Sequence, residues 1–409
     1  MTTNPLASSA IPAVGLHGDT SLDVCNVVPQ KGRLVPLKTK GEIKASNETI
    51  NVHVVELPAR AANAVLSVLK SALPEDAVQD LQHLRRVIKP SFLPPHLQSS
   101  LFPNAAEAST ESRLLLVSPT TTIPLEQLVA ALSAHEPFIS SPPKIYDLPV
   151  PSLAPISAEQ AESWSDTYWP VAYKHTNPFG PHPSIVSRTQ AEIEAEAGRY
   201  LALADIAARE TREKGFGEHV GAVAVERLVD AKGRPLAPAE VVAVAGDGRW
   251  RGLQGDVTSS TESGVENQHE DGRCNGNVMT HAALRAIALV AQKRLRTAGS
   301  SPLDSPAIFA DTPLTELEEA VFSRDNLRPN GYLCSELEIY LTREPCVMCS
   351  MAILHSRFGR CVFGKRMPLT GAMTADGDGL EHGLFWRPAE LNWKFLAWEW
   401  QSEEDSSVI

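Results

Sequence analysis

Apolar residues recur along the chain at two spacings, and the spacing switches wherever turn-forming residues intervene. "INVHVVELP", Ile50 to Pro58, alternates apolar and polar positions and is rich in β-branched residues, which predicts a strand. "RAANAVLSVLKSAL", Arg60 to Leu73, carries apolar residues at helical spacing. Leu81 to Pro90 and Ser112 to Pro119 predict two more strands. Pro124 to His135 predicts a second helix, with Pro124 suited to its first turn.

Strand, helix, strand, strand, helix is the order of a small split β-α-β, ferredoxin-like α+β module. A proline-rich connector, Glu136 to Ser157, ends that module. "WSDTYWPVAYKHTNP", Trp164 to Pro178, sets aromatics among prolines and reads as a linker lying against a surface. A long helix from Thr189 to Lys214 then opens a second domain. A hairpin follows, Val220 to Val229 and Glu240 to Ala245, and then a Gly/Ser-rich loop from Asp247 to Gly276. A helix from His281 to Arg296, an insertion from Thr297 to Asn330, and strands Ser335 to Thr342 and Gly359 to Gly364 complete an alternating α/β pattern. The division expected is 1–45 a flexible basic arm, 46–136 an N-terminal α+β domain, 137–188 a linker and 189–409 an α/β domain.

Composition narrows this little. With 409 residues, 43% apolar and 21% charged, the chain has room for more than one core. No apolar run approaches the roughly 18 to 20 residues that span a bilayer, and the first residues lack the basic and apolar regions of a secretory signal. A net charge of −12 argues against non-specific coating of nucleic acid, but a local patch can still bind RNA. Lys31, Arg33, Lys38, Lys40 and Lys44 face a single acid, Glu42, within fourteen residues. A solvated charged tail would show the same pattern. Arg85, Arg86 and Lys89 form a second basic cluster.

The chemistry lies in two short stretches. "REPCVMCSMAILHSR" starts a helical pattern with Cys346 and Cys349 one turn apart, so that both sulfurs can face one point. A helix N-terminus lowers thiol pKa and favours bound thiolate. In "NVMTHAALRAIALV", His281 follows Thr280, a plausible N-cap, at the start of another helix. Two helix starts presenting one histidine and two cysteines predict a zinc site with a fourth position open. A redox pair or buried thiols would also explain Cys-x-x-Cys, and a lone histidine often only caps a helix. Cys25, Cys274, Cys334 and Cys361 lack partners at ligand spacing and are expected to be free thiols in a reducing compartment.

The pattern H-x-E … P-C-x-x-C marks zinc nucleobase deaminases, and "EPCVMCSMAILHSRFGRCVFG" closely resembles the corresponding segment of the tRNA adenosine deaminases. In His281-Ala282-Ala283, however, the glutamate is missing. That change, the extra N-terminal domain and the tail "GLEHGLFWRPAELNWKFLAWEW" resemble the non-catalytic subunit, of the subunit-three type, of the eukaryotic heterodimeric tRNA adenosine deaminase. This is a cytidine/deoxycytidylate deaminase-like family. The resemblance covers about Trp164 to Trp400. It implies a three-layer cytidine-deaminase-like domain with a mixed sheet and zinc held by His281, Cys346 and Cys349. It also implies a catalytic deaminase partner, a tRNA substrate edited to inosine at the anticodon wobble position, and residence in the nucleus and cytoplasm.

Zinc lowers the pKa of bound water, but deamination also needs a group that moves protons, which a methyl group cannot do. Glu344 is a poor substitute, because active relatives carry a glutamate before Pro-Cys beside the catalytic one. The expected role is therefore structural and tRNA-binding, with Lys31, Arg33, Lys38, Lys40, Arg85, Arg86 and Lys89 the candidate contacts. Trp393, Phe395, Trp398 and Trp400 should pack the tail on the domain. The acidic end "QSEEDSSVI" is expected to fold over the site, with the carboxylate of Ile409 a candidate fourth zinc ligand. Two alternatives remain at this stage, a self-sufficient zinc nucleoside or nucleobase deaminase and a zinc-stabilised scaffold with no RNA role.

Overall fold

The computed structural model describes residues 27–74, 81–103, 111–228, 239–251, 276–299, 311–328, 331–377 and 379–403. In chain order the N-terminal half forms β1 (Gly32–Pro36), α1 (Lys40–Asn47), β2 (Thr49–Pro58), α2 (Ala62–Ala72), β3 (Val87–Ile88), α3 (Pro95–Leu101), β4 (Ser112–Pro119), α4 (Leu125–Ser133), β5 (Lys144–Pro151) and α5 (Ala158–Thr167). The rest forms α6 (Pro183–Glu213), β6 (Gly221–Glu226), β7 (Glu240–Gly246), α7 (Ala282–Thr297), α8 (Glu316–Phe322), β8 (Leu337–Arg343), α9 (Val347–His355), β9 (Arg360–Lys365) and β10 (Leu396–Ser402).

The smaller sheet has the order β3-β4-β2-β5, with every pairing antiparallel. One face, with Val55, Leu57, Leu115 and Val117, packs against Leu69 of α2 and Leu128 and Leu132 of α4. The opposite face, with Val52, Val54, Leu116 and Val150, is covered too, by Trp164 of α5 and by Trp169 and Val171 beyond it. Trp169 is fully buried and donates its indole N–H to the Arg85 carbonyl at 2.7 Å. The aromatic segment read as lying against a surface thus closes the second face of this sheet.

Four sequence expectations change here. Lys144–Pro151 is a strand paired with β2 rather than linker. It lies at a sheet edge, where Pro149 and Pro151 lose no ladder hydrogen bond the sheet needs. The expected strand Leu81 to Pro90 contracts to Val87–Ile88, because Arg85 and Ala172 bind backbone outside the sheet (Arg85 N to Pro170 O, Ala172 N to His83 O). Residues 32–47 are not an arm. β1 pairs with β10 at the edge of the larger sheet, and α1 begins with a capping box in which Thr39 and Glu42 satisfy each other's backbone N–H groups. Pro124, expected inside the first turn, is instead the cap of α4.

The larger sheet is mixed, in the order β1-β10-β9-β8-β6-β7, with β8, β9 and β10 parallel to one another and the remaining pairs antiparallel. Alternation sorts each strand between two cores. Ala222, Ala224, Ile339 and Phe363 face α7 and α9, while Val223, Val225, Tyr340 and Val362 face α6. Because both faces are covered, β6 is buried at every position. Phe395, Trp398 and Trp400 are buried and Trp393 packs beside them, as expected, with β10 inserted between β1 and β9. Gly198 in the middle of α6 is a packing requirement, since a Cβ there would sit 2.2 Å from the Gln30 carbonyl of the segment entering β1.

Buried charges tie the helices to this sheet. Arg285 of α7 is fully buried and donates to both Glu318 carboxylate oxygens of α8 at 2.8 Å and to the Gly246 carbonyl at 2.7 Å. Lys293 donates to the Val242 and Val321 carbonyls and to Asn326 Oδ1. These contacts pin α8, within the segment read as an insertion, against β7.

Candidate metal centre

β8 delivers the chain to Glu344-Pro345-Cys346, and α9 then begins at Val347 with Cys346 as its cap residue. Pro345 is therefore one residue outside the cap rather than the first helical residue. Its carbonyl accepts from Ala372 N and Ser350 Oγ. Cys349 lies in the first turn and is buried. His281 itself caps α7, so Thr280 is not the cap; it closes a short 3-10 turn, donating its hydroxyl to the Asn277 carbonyl at 2.7 Å.

His281 Nδ1 stands 3.5 Å from Cys349 Sγ and 3.9 Å from Cys346 Sγ, and the three donor atoms lie within 4.8 Å of one another. Tetrahedral zinc with bonds of about 2.3 Å to sulfur and 2.0–2.1 Å to nitrogen puts such a nitrogen about 3.5 Å from each sulfur. The donor set therefore fits zinc in spacing and in chemistry. The two thiols also behave as a pair. Hydrogen bonding from Cys349, reinforced by His281, brings the Cys346 thiol down to about 4, while the same bond and burial push Cys349 up. A zinc ion held here would take both cysteines as thiolates.

A cavity of about 380 Å³ opens over the triad, and Ala283, nearly fully buried, lines it. Three carboxylates also line it, and each is engaged. Glu218 accepts from Arg212 at 3.1 Å. Asp247 accepts two bonds of 2.8 Å from the Arg249 guanidinium. Glu344 accepts from the backbone N–H groups of Met367, Met373 and Thr374 and from the Thr374 hydroxyl. Glu344 is thus a clamp on the Met367–Thr374 loop. The clamp requires Gly371, where a Cβ would lie 2.2 Å from Glu344 Oε2. The sequence marks this only as an acid at the end of an apolar strand. Asp247 and Arg249 were likewise missed, although an acid ending the run "VVAVAG" must pair if it is buried.

The structure does not bring the seven basic candidates to this cavity. Lys31, Lys38 and Lys40 are exposed; Arg33, also exposed, donates to Gln401 Oε1 at 2.8 Å; and Lys44 meets Glu48 at 3.6 Å. Arg85 and Lys89 are exposed near β3, while Arg86 is half-buried with one guanidinium nitrogen unbonded. Cys334 and Cys361 are buried free thiols. Ile409, Cys25, Cys274 and most of the Gly/Ser-rich loop lie outside the described residues.

No family model matches the chain. Individual proteins do. It is 36% identical over 128 residues to the tRNA-specific adenosine deaminase subunit tad3 of Schizosaccharomyces pombe, 30% of each chain. It is 43% identical over 76 residues to subunit TAD3 of Saccharomyces cerevisiae, 18% of this chain and 23% of the other. A mouse protein named probable inactive tRNA-specific adenosine deaminase-like protein 3 is 28% identical over 323 residues, 76% of this chain and 80% of that one. All three of these relatives are named as tRNA-specific adenosine deaminase subunits or deaminase-like proteins of the subunit-three type, and the chain is similar to them. The matched stretches span less than a third of each yeast protein. Among solved structures, one from a study of A-to-I editing by tRNA:A34 deaminases at the wobble position aligns with 50% of this chain and 98% of its own at 20% identity, with a TM-score of 0.27.

Proposed function

We propose that the chain is the non-catalytic, zinc-binding subunit of a heterodimeric tRNA adenosine deaminase that converts adenosine to inosine at the anticodon wobble position, in the nucleus and cytoplasm. One observation carries this reading: an intact His281, Cys346 and Cys349 triad faces a cavity in which Ala283 takes the acid's place and each lining carboxylate is occupied. A methyl group neither accepts nor delivers a proton. Glu344 would have to give up four hydrogen bonds to act, and Asp247 its bidentate pair with Arg249. Zinc, when bound, supplies folding free energy by joining the starts of α7 and α9. The catalytic partner supplies the acid, and this chain supplies a rigid face and cationic contacts to tRNA.

Co-expression with a catalytic deaminase subunit tests the reading. The pair should co-purify and deaminate an adenosine-containing anticodon stem-loop, while the isolated chain, and its Ala283→Glu variant, should not. Proton transfer needs geometry as well as a suitable pKa. Robust turnover by the isolated wild type would instead make it a self-sufficient deaminase. A pair that edits without binding tRNA through this chain would leave it a scaffold. Replacing Lys31, Arg33, Lys38 and Lys40 together by alanine should weaken tRNA binding and flatten its salt dependence with the partner still attached.

A further inference from the structure

A second cavity, of about 350 Å³, lies away from the metal triad where the smaller sheet meets the segment leading to α6. Its lining draws Gln82 and His83 from one segment and Tyr173, Lys174, Thr176 and Phe179 from another. The two segments are joined by the hydrogen bond from Ala172 N to the His83 carbonyl at 2.7 Å. Tyr173 is half-buried and held in a tilted contact with the His175 ring at 5.0 Å between centroids. Lys174, Gln82 and Thr176 are exposed, and neither they nor the Tyr173 hydroxyl bonds to any described residue. Two rings, a cation and unspent donors therefore converge on one groove.

The groove also unites basic residues that are far apart in sequence. Thr39 donates its hydroxyl to the Phe179 carbonyl at 2.7 Å, and Gly41 packs against the Phe179 side chain. Exposed Lys38 and Lys40, on either side of Thr39, therefore stand beside the groove's Phe179 end. Exposed Arg85 follows two residues after His83, a lining residue, with its backbone held by Pro170 and Trp169. Both faces of the smaller sheet are covered, so RNA must approach this module by its edges and grooves rather than across an open sheet.

We infer that this groove is a subsite for an unpaired nucleotide of the bound RNA. The base stacks on Tyr173, Gln82 and Thr176 meet its edge, and Lys174, Lys38, Lys40 and Arg85 meet the flanking phosphates. In a chain of net charge −12, a cationic rim around an aromatic groove is a local exception that matches a polyanion carrying bases. The inference rests on the proposed tRNA-binding role and names a place for it.

The test titrates a labelled tRNA transcript against the full chain purified with its deaminase subunit, as wild type, Tyr173→Leu, Tyr173→Phe and Lys174→Gln. Loss of stacking should weaken binding by Tyr173→Leu roughly five- to a hundred-fold, while Tyr173→Phe, which keeps the ring, should bind like wild type. Lys174→Gln, at an exposed site that cannot disturb the core, should lower the salt slope by about one. A transcript carrying 4-thiouridine should cross-link to the peptide containing Tyr173. Wild-type affinity and salt slope in Tyr173→Leu and Lys174→Gln, with cross-links elsewhere, would overturn the subsite and leave tRNA binding intact. Unchanged RNA affinity with loss of the deaminase subunit would make the groove a protein-docking surface and equally overturn it. A wild type that binds no tRNA would sink the proposed function, and the subsite with it.

Discussion

Both sheets are covered on both faces, but by different chemistry. The smaller sheet is closed by apolar and aromatic side chains, and among the described residues the buried ionisable groups on it are His53 and His83. Around the larger sheet, Arg227, Arg285, Lys293, Glu318, Glu338 and Glu344 are all buried and paired or hydrogen-bonded. Hydrophobic contact is non-directional and tolerates small slips of a helix over a sheet. Buried ion pairs do not, because a slip leaves a charge unpaired. A site that needs a nitrogen 3.5 Å from a sulfur on a different helix needs the second kind of closure.

The contrast breaks first at the metal. Cys346→Ser should take zinc from one ion per chain to near none and lower solubility, read by metal analysis of purified protein. A stable wild-type chain that purifies without metal would end the assignment. Next in size, Arg285→Ala leaves the fully buried Glu318 unpaired and should cost about 3–5 kcal/mol in denaturant unfolding. The double variant Arg285→Met with Glu318→Leu should regain much of that stability yet hold zinc less tightly, if the ion pair sets helix position. Zinc affinity equal to wild type in the double variant would refute the directional role.

Trp169→Ala sharpens the other half of the comparison. It empties a fully buried site and removes an indole hydrogen bond, at about 3 kcal/mol or more. The loss should appear as raised hydrogen exchange in β2, β4 and β5 with zinc content unchanged, and loss of zinc would mean that the two cores are coupled. A pH-dependent effect concerns Lys293. Burial lowers its ammonium from 10.5 to about 8, so between those values the unfolded chain binds more protons than the folded one and stability rises with pH. Wild type should accordingly gain on Lys293→Met as pH climbs from 8 to 10.5. A constant difference across that window would show Lys293 titrating normally.

Much of the helix and strand pattern of the larger domain was legible, because each element there carries its own period. β9 is shifted by one residue from the expected strand and β7 extends one residue beyond its own. β5 was hidden by its prolines, which only an edge position makes harmless. β1 was hidden by its brevity and by its partner β10, which lies at the far end of the chain. The triad was readable for a different reason. A cysteine pair one helical turn apart and a histidine beginning a helix are local facts, and the chemistry of zinc supplies the link between them.

What the sequence determined by itself was therefore local: element type, the donor set of His281, Cys346 and Cys349, and the loss of the acid at Ala283. Element type and the Cys346–Cys349 spacing follow from neighbours within a turn or two, where spacing decides which side chains share a face; His281 joins them through the chemistry of zinc, and Ala283 as the place of a missing acid comes from the resemblance. Tertiary structure decided everything that depends on distant partners. It placed β1 on the larger sheet, spent Glu344 on a loop and Asp247 on Arg249, and brought Lys38 and Lys40 beside a groove lined by Tyr173 and Phe179. Burial makes those assignments, since a polar group removed from water must find a partner wherever the fold provides one, and a sequence read along its length does not say which residues burial will bring together.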